Sequence, residues 1–209
     1  MMSLITPINQ TLINAFPASS RIQFDIGDDI TTQGSKVDRI LLVLEGAVVE
    51  TRDDNDSVSH AVHFAAPGSL IGLRLSSGSS SVHQTRATAL APTTALSIER
   101  TEFLATAMRS SVLTAALMKD LAIRTQITNK LSAACHHDST RMHVLEVLQI
   151  STSVFGVDEA GRPRVPIPVG LMERICGCPW VLIRMALNDL QRQGVISISP
   201  AGVQLQIPN

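Results

Sequence analysis

Short apolar runs alternate with turn residues over the first half of the chain. Between residues 22 and 98 the runs are separated by clusters of Gly, Pro, Asp and Ser. The run at residues 40–44, for example, ends at Glu45-Gly46, and Asp53-Asp54-Asn55-Asp56 is a polar hairpin tip. This spacing is typical of strands joined by tight turns. It predicts a small antiparallel barrel or roll.

The hydrophobic period changes near residue 101. Residues 101–137 contain no Gly or Pro, and their apolar residues recur at steps of three, four and seven, which predicts one long helix. The stripe consists of Val112, Ala116, Ile123, Ile127, Leu131 and Ala134, with Leu113 and Leu117 beside it and Leu121 beyond it. Its apolar arc is too wide for one partner, so we expect the helix to cover its own roll and to meet a second copy of itself.

Two charged residues, Asp120 and Arg124, project into this arc one turn apart. At that spacing they can form an ion pair within the helix. One interpretation is a local pair with no further role, and the other is a pair that sets the register of a dimer. Both stay open from sequence. The predicted dimer interface comprises Leu113, Leu117, Asp120, Arg124, Ile127 and Leu131.

The C-terminal third has the pattern of a compact helical unit followed by a hairpin. Asp138-Ser139-Thr140 supplies N-cap residues, so a further helix and a new domain are expected there. Residues 169–175 predict a short helix, Cys176-Gly177-Cys178 a turn, and Pro179 to Gly194 a second helix. This arrangement is a helix-turn-helix. Residues 195–198 and 203–207 alternate with period two and predict a hairpin, or wing.

The second of these helices is amphipathic. Its predicted packed face is Leu182, Ile183, Ala186, Leu187 and Leu190. Its predicted outward face is Val181, Arg184, Met185, Asn188 and Arg192, with Trp180 at the border. Arg and Asn side chains can contact phosphates or base edges, and Val or Met side chains can touch a thymine methyl.

In the order of these parts the chain resembles the CRP/FNR family of bacterial transcription regulators. The resemblance rests on Val43-Leu44-Glu45-Gly46-Ala47-Val48, on Ala66-Pro67-Gly68-Ser69-Leu70-Ile71-Gly72, and on Ile175-Cys176-Gly177-Cys178 followed by Leu187, Leu190, Gly194 and Ile196. It implies an α+β fold with an N-terminal antiparallel β-roll of the double-stranded β-helix type, a long dimerisation helix and a C-terminal winged helix-turn-helix. The implied boundaries are 1–100 for an effector-binding-like roll, 101–137 for the helix and 138–209 for a DNA-binding domain.

The resemblance also implies an effector pocket in the roll, at Gly72, Leu73, Arg74, His83, Gln84 and Arg86. In members that bind cyclic AMP, a Glu for the ribose follows the glycine corresponding to Gly72, and a later Arg-Ser or Arg-Thr pair holds the cyclic phosphate. Here Leu73 follows that glycine, and His83 and Gln84 occupy the position of the pair. Arg86 lies off that register. The sequence predicts weak or no binding of cyclic AMP and names no cofactor.

Histidine and cysteine positions argue against a metal enzyme. His60 and His63 lie an odd number of residues apart and point to opposite faces of one strand, which opposes a cupin-type metal site. We expect these two and His83 at the surface or at edges, the alternative being a haem or metal ligand in a gas sensor. An iron–sulfur cluster of the FNR type is excluded because no Cys precedes Cys135. The sequence predicts no catalytic residue and no metal site.

Composition narrows the functional classes. Of 209 residues 44% are hydrophobic and 17% charged, with a net charge of -1, which excludes disorder and a globally basic nucleic-acid binder. From residue 139 onward there are six Arg and five acidic residues, so the net positive charge is small for a DNA-binding domain. No apolar run approaches the roughly 20 residues that span a membrane. The three cysteines, an odd number, and the start of the chain fit a cytoplasmic protein, with Cys176 and Cys178 as packing residues.

Two functions remain. The first is a dimeric regulator of promoter DNA, with double-stranded DNA, a second copy of the chain, RNA polymerase and a small-molecule effector as partners and no membrane. Its predicted DNA-binding residues are Arg174, Trp180, Val181, Arg184, Met185, Asn188 and Arg192. The second is a binding protein that keeps this architecture, has lost sequence-specific DNA recognition and acts through protein contacts. The intact register of helix, turn, helix and wing favours the first, whereas the apolar residues on the predicted outward face favour the second.

Overall fold

The structure is a computed structural model that describes residues 13–16, 19–54, 58–73, 82–137 and 139–206. Strands dominate its N-terminal part and helices its C-terminal part, so the predicted α+β class is confirmed. The chain divides into two compact units. One draws on Met1–Val48 and Ala65–Gln126, and the other on Val49–Phe64 and Ile127–Asn209. The boundaries expected at residues 100 and 137 stay predictions.

Six strands form one sheet. They are β1 (Ser20–Phe24), β2 (Asp29–Thr31), β3 (Arg39–Asp53), β4 (Ser59–Ala65), β5 (Leu70–Ile71) and β6 (Arg86–Glu99). The order is β1-β6-β3-β4, with β2 also on β6 and β5 also on β3. The pairings of β1 and β2 with β6, and of β5 with β3, are antiparallel. The predicted antiparallel roll is thus confirmed.

Strand β3 is buried on both faces. Ile40, Leu42 and Leu44 point into one apolar cluster, which also holds Phe103 and Leu113. Leu41 and Val43 point into another, with Val48, Ile71 and Ala95. Because successive side chains on a strand alternate between faces, a strand covered on both sides needs an unbroken apolar run. Burial on both faces therefore explains the unbroken apolar run at residues 40–44.

The long helix of the prediction is divided in two. Helix α1 spans Arg100–Ala107 and helix α2 spans Ser111–Ala134. Between them the hydroxyl of Ser110 accepts a hydrogen bond from the main-chain N–H of Leu113 at 3.2 Å, and the hydroxyl of Thr114 donates to the carbonyl of Ala107 at 2.8 Å. Serine is a favoured N-cap, so a new helix begins there although neither Gly nor Pro interrupts the sequence. The expectation of one unbroken helix was wrong.

The C-terminal elements follow the predicted order. They are α3 (Thr140–Phe155), a 3-10 turn (Val169–Leu171), α4 (Met172–Cys176), α5 (Trp180–Arg192), β7 (Ile196–Ser199) and β8 (Gly202–Leu205). Strands β7 and β8 pair antiparallel as the wing. Helix α3 packs against α5. The predicted helix-turn-helix and hairpin are confirmed.

Three side chains differ from expectation. Leu182 is 44% exposed rather than packed, because it lies about a quarter turn from the centre of the buried face formed by Ile183, Ala186, Leu187 and Leu190 on α5. His63 and His83 are 1% and 9% exposed, so the expectation that they lie at the surface was wrong. Residues 61–65 of β4 are all buried although β4 ends the strand order, so both faces of this strand are covered.

Candidate nucleic-acid interface and effector pocket

The turn between α4 and α5 is held by its glycine. Gly177 has φ +63°, in the left-handed region, and its N–H donates to the carbonyl of Glu173 at 2.9 Å. A Cβ at this position would lie 2.9 Å from the carbonyl oxygen of Ser59 and 3.3 Å from the Cβ of His60. Both the backbone conformation and the close approach of β4 therefore require glycine.

The start of α5 is fixed by two further contacts. The carbonyl of Pro179 accepts hydrogen bonds from the N–H groups of Leu182 and Ile183, at 2.9 and 3.1 Å. The carboxylate of Glu173, on α4, accepts a hydrogen bond from the main-chain N–H of Trp180 at 3.2 Å. The carboxylate thereby satisfies a helix N-terminal donor that has no partner within the helix. The direction in which α5 leaves the turn is set by these bonds.

The structure places the predicted outward residues of α5 on one exposed face. Val181 and Met185 are each 59% exposed and Trp180 is 38% exposed. Arg184, Asn188 and Arg192 are also exposed, whereas Arg174 on α4 is half-buried. The face combines donors suited to phosphates and base edges with a patch of apolar side chains.

Several arginine side chains in the C-terminal unit already form ion pairs or hydrogen bonds within the chain. Arg192 pairs with Asp189 one turn away on α5. Arg162 pairs with Asp158 at 2.9 Å, and the main-chain N–H of Arg162 is the largest of the causes that lower the pKa of that carboxyl. Arg141 donates to the side chain of Gln193 at 3.0 Å. Arg184 is therefore the residue on which we place most of the expected phosphate contact.

Two of the predicted pocket residues meet. Gly72 has φ +91°, and a Cβ there would lie 3.1 Å from the carbonyl oxygen of Arg39 and 3.4 Å from the Cε1 atom of His83. The main chain of His83 is bonded on both sides, its N–H to the carbonyl of Ser35 and its carbonyl to the N–H of Gly34, each at 2.8 Å. His83 is thus held beside Gly72, as the predicted pocket requires.

The other predicted pocket residues are dispersed. Leu73 packs against the apolar cluster that holds Phe103. Arg86 forms an ion pair with Asp29, whose second oxygen accepts a hydrogen bond from the hydroxyl of Thr88 at 2.9 Å. Its positive charge is therefore offset by a carboxylate. Gln84 is half-buried, and Arg74 lies outside the described residues.

The six predicted interface residues of α2 share one stripe of the helix, and the single chain already covers much of it. Leu113, Arg124, Ile127 and Leu131 are at most 8% exposed, and Leu117 and Asp120 are half-buried. The exposed apolar residues of α2 lie on either side of this stripe: Val112, Met118, Leu121 and Ile123. The apolar stripe predicted from the sequence included Val112 and Ile123, with Leu121 beyond it. Periodicity locates such an apolar arc but does not show which part of it the same chain covers.

Metal ligation and membrane insertion each need a recognisable arrangement of side chains. In the ranges that the structure describes, no three or more His, Cys, Asp or Glu side chains are grouped so that they could hold a metal ion. Among those residues, no helix is both long and apolar enough to cross a membrane.

Comparisons with known proteins agree with this architecture. Residues 21–110 match the cyclic nucleotide-binding domain family. Among solved structures, FixK2 from Bradyrhizobium japonicum has a TM-score of 0.70 and 19% identity over 90% of this chain and 93% of that one. The c-di-GMP-responsive global regulator CLP of Xanthomonas campestris has a TM-score of 0.76 and 15% identity, over 95% and 100%. A CRP-family transcriptional regulator from Thermus thermophilus has a TM-score of 0.70 and 16% identity, over 88% and 91%.

A search of the curated proteins found no match. Residues 21–110 thus resemble a cyclic nucleotide-binding domain, and the chain has the fold of the CRP/FNR transcription regulators. The resemblance to that family noted in the sequence is confirmed at this level.

Proposed function

We propose that this protein is a homodimeric transcription regulator that binds double-stranded promoter DNA through α5. The observation that carries the proposal is the exposed face of α5, where Arg184 and Asn188 stand one turn apart beside Val181 and Met185. The turn at Gly177 and the wing formed by β7 and β8 hold this helix as a helix-turn-helix requires. The similar solved structures are described as regulators, which supports the same role.

The chemistry of this face favours moderate sequence specificity. Bidentate contacts from Arg or Asn discriminate a base by about 1–3 kcal/mol each. Arg184 and Asn188 can make such contacts, whereas Val181 and Met185 can contribute only apolar contact with a thymine methyl. Binding then relies on phosphate contacts for affinity and reads few base pairs.

Pairing of two copies through α2 completes the proposal. Val112 and Ile123 are 61% and 45% exposed on the same flank of the covered stripe of that helix and offer an apolar surface to a second chain. A symmetric dimer presents two α5 helices to half-sites about one DNA turn apart, roughly 34 Å. A small-molecule effector in the pocket beside Gly72 and contact with RNA polymerase belong to the same proposal.

A mobility-shift titration of the full-length protein on the promoter fragment of its own gene tests the function. Wild type should shift this fragment at low salt, and Arg184→Ala should weaken binding about tenfold or more. Arg162→Ala is the matched control, because Arg162 is exposed but lies outside α5 and pairs with Asp158. Absence of a shift by folded wild-type dimer, with and without added cell-extract small molecules, overturns the proposal.

A second candidate function is recognition of a protein partner through α5. Trp180, Val181, Leu182 and Met185 are 38–59% exposed within the first two turns of the helix. Exposed apolar patches of this kind occur at protein interfaces. Val181→Ser with Met185→Ser separates the two functions: a regulator keeps most of its DNA affinity in this variant, whereas a protein-contact surface loses its partner.

A further inference from the structure

Two thiols flank one imidazole ring in the C-terminal unit. The Sγ atom of Cys135 lies 3.9 Å from Nε2 of His143, and the Sγ atom of Cys178 lies 3.9 Å from Nδ1 of the same ring. Cys135 follows the end of α2, His143 lies on α3, and Cys178 lies in the turn that leads into α5. Three separate elements therefore bring these side chains together.

The cluster is open to small molecules at its two ends. Cys135 is exposed and Cys178 is half-buried, whereas His143 between them is 6% exposed. The third cysteine differs, because Cys176 is 2% exposed although it lies only two residues from Cys178. Solvent exposure thus distinguishes Cys135 and Cys178 from Cys176.

The imidazole ring and the two thiols beside it are all uncharged at neutral pH. Burial lowers the pKa of His143, so that the imidazole is uncharged at neutral pH. Burial also raises the pKa of Cys135 and of Cys178, so that both thiols hold their protons. Because the thiolate is the nucleophile, reaction begins when one sulfur loses its proton to solvent, and solvent reaches the exposed Cys135.

We propose that Cys135 and Cys178 form a thiol redox site, which a two-electron oxidant such as an azodicarboxamide converts into a disulfide within one chain. A thiolate adds to the N=N bond of the reagent, and the second thiolate displaces the first sulfur's nitrogen substituent. One S–S bond forms, two S–H bonds break, and the two electrons and two protons reduce the azo group to a hydrazine.

The disulfide changes the start of α5. The imidazole of His143 separates the two sulfurs, so the ring must leave before they reach the roughly 2.05 Å of an S–S bond. The turn that carries Cys178 must then move, and Trp180 at the start of α5 follows two residues later. Trp180 is the single tryptophan of the chain and reports this movement.

Full-length protein treated with diamide provides the test. Thiols that remain are counted by the mass shift with a maleimide polymer, and the bridge is located by mass spectrometry of unreduced peptides. Wild type and Cys176→Ser should each lose two reactive thiols and keep monomer mobility in a denaturing, non-reducing gel. Cys135→Ser and Cys178→Ser should form no bridge within the chain.

Tryptophan emission supplies an independent readout that does not use DNA. Diamide should shift the emission of Trp180 in wild type and in Cys176→Ser, and dithiothreitol should reverse the shift. Cys135→Ser, shown to be folded by its circular dichroism, should show no shift. Wild type that keeps all three thiols after oxidation, a bridge to Cys176, a bridge between two chains, or an emission unchanged by the correct bridge each overturns the proposal.

Discussion

The guanidinium of Arg124 donates a hydrogen bond from Nη2 to the main-chain carbonyl oxygen of Leu70, at 2.5 Å. Arg124 is 5% exposed on α2, and Leu70 is 1% exposed on β5, two residues before Gly72. A hydrogen bond from a charged donor contributes about 1.5–3 kcal/mol to stability. The bond therefore ties α2 to the strand beside the pocket glycine, whatever part Arg124 has in a dimer.

Replacing Arg124 by Met, which has a similar stem, should lower the free energy of unfolding by about 1–3 kcal/mol, because the carbonyl of Leu70 loses its charged donor. Urea denaturation followed by circular dichroism measures the loss. The matched control is Arg109→Met, since Arg109 also donates to a main-chain carbonyl but is exposed. An Arg124→Met midpoint equal to that of wild type contradicts the prediction.

Alanine substitutions at Gly177 and Gly194 distinguish the cost of backbone strain from the cost of steric crowding. Both have positive φ, at +63° and +69°, but a Cβ at Gly177 meets the carbonyl of Ser59 at 2.9 Å, whereas nothing lies within 4 Å of one at Gly194. Gly194→Ala should cost about 1 kcal/mol of strain. Gly177→Ala should cost about 1–3 kcal/mol more. Equal shifts in the two denaturation midpoints show that β4 does not crowd the turn.

Cyclic AMP should bind weakly or not at all. Burying a phosphate without a paired cation is unfavourable, and the charge of Arg86 is already offset by Asp29. We expect a dissociation constant of about 1 mM or weaker in calorimetry. Asp29→Asn should increase the affinity by releasing Arg86. Micromolar binding by wild type refutes this interpretation of the pocket.

Self-association should depend on the exposed apolar residues of α2. Val112→Glu with Ile123→Glu places charge in the proposed contact and should convert the dimer to a folded monomer, because both side chains are already exposed in the single chain. Met108→Glu is the control, an exposed apolar residue outside α2. Light scattering gives the mass and circular dichroism the fold. A double variant that stays dimeric places the interface elsewhere.

Acid should destabilise the protein in part through His143. Burial is the main cause of its lowered pKa; His137 and His60 lower it further, and Glu146 raises it. A histidine whose pKa is lower in the folded than in the unfolded state takes up its proton more readily on unfolding. Its contribution to stability is therefore complete above the unfolded pKa of about 6.5 and is lost as the pH falls below it.

Denaturation midpoints at pH 8 and pH 5.5 measure this dependence. The difference between the two midpoints should be smaller in His143→Gln than in wild type. His136→Gln, at an exposed residue whose ring bonds the carbonyl of Ser132, should keep the wild-type difference. Equal pH dependence of wild type and His143→Gln rules out this role.

Local patterns in the sequence determined the elements and their order. The apolar run of β3, the helical period of α2 and the glycine of the turn each depend on a few neighbouring residues, because strand alternation, helical period and left-handed backbone are local properties. These were enough to predict the roll, the helix-turn-helix and the wing, and from their order the CRP/FNR resemblance. The outward face of α5 followed from the same period, apart from Leu182.

Only the tertiary structure decided which side chains are buried and what they touch. The burial of His63 depends on the layers that cover β4, and the contact of Arg124 with Leu70 joins residues far apart in the sequence. The meeting of Cys135, His143 and Cys178 arises in the same way, since three elements must pack before the groups approach. Such contacts are set by long-range packing, whose partners no local periodicity specifies.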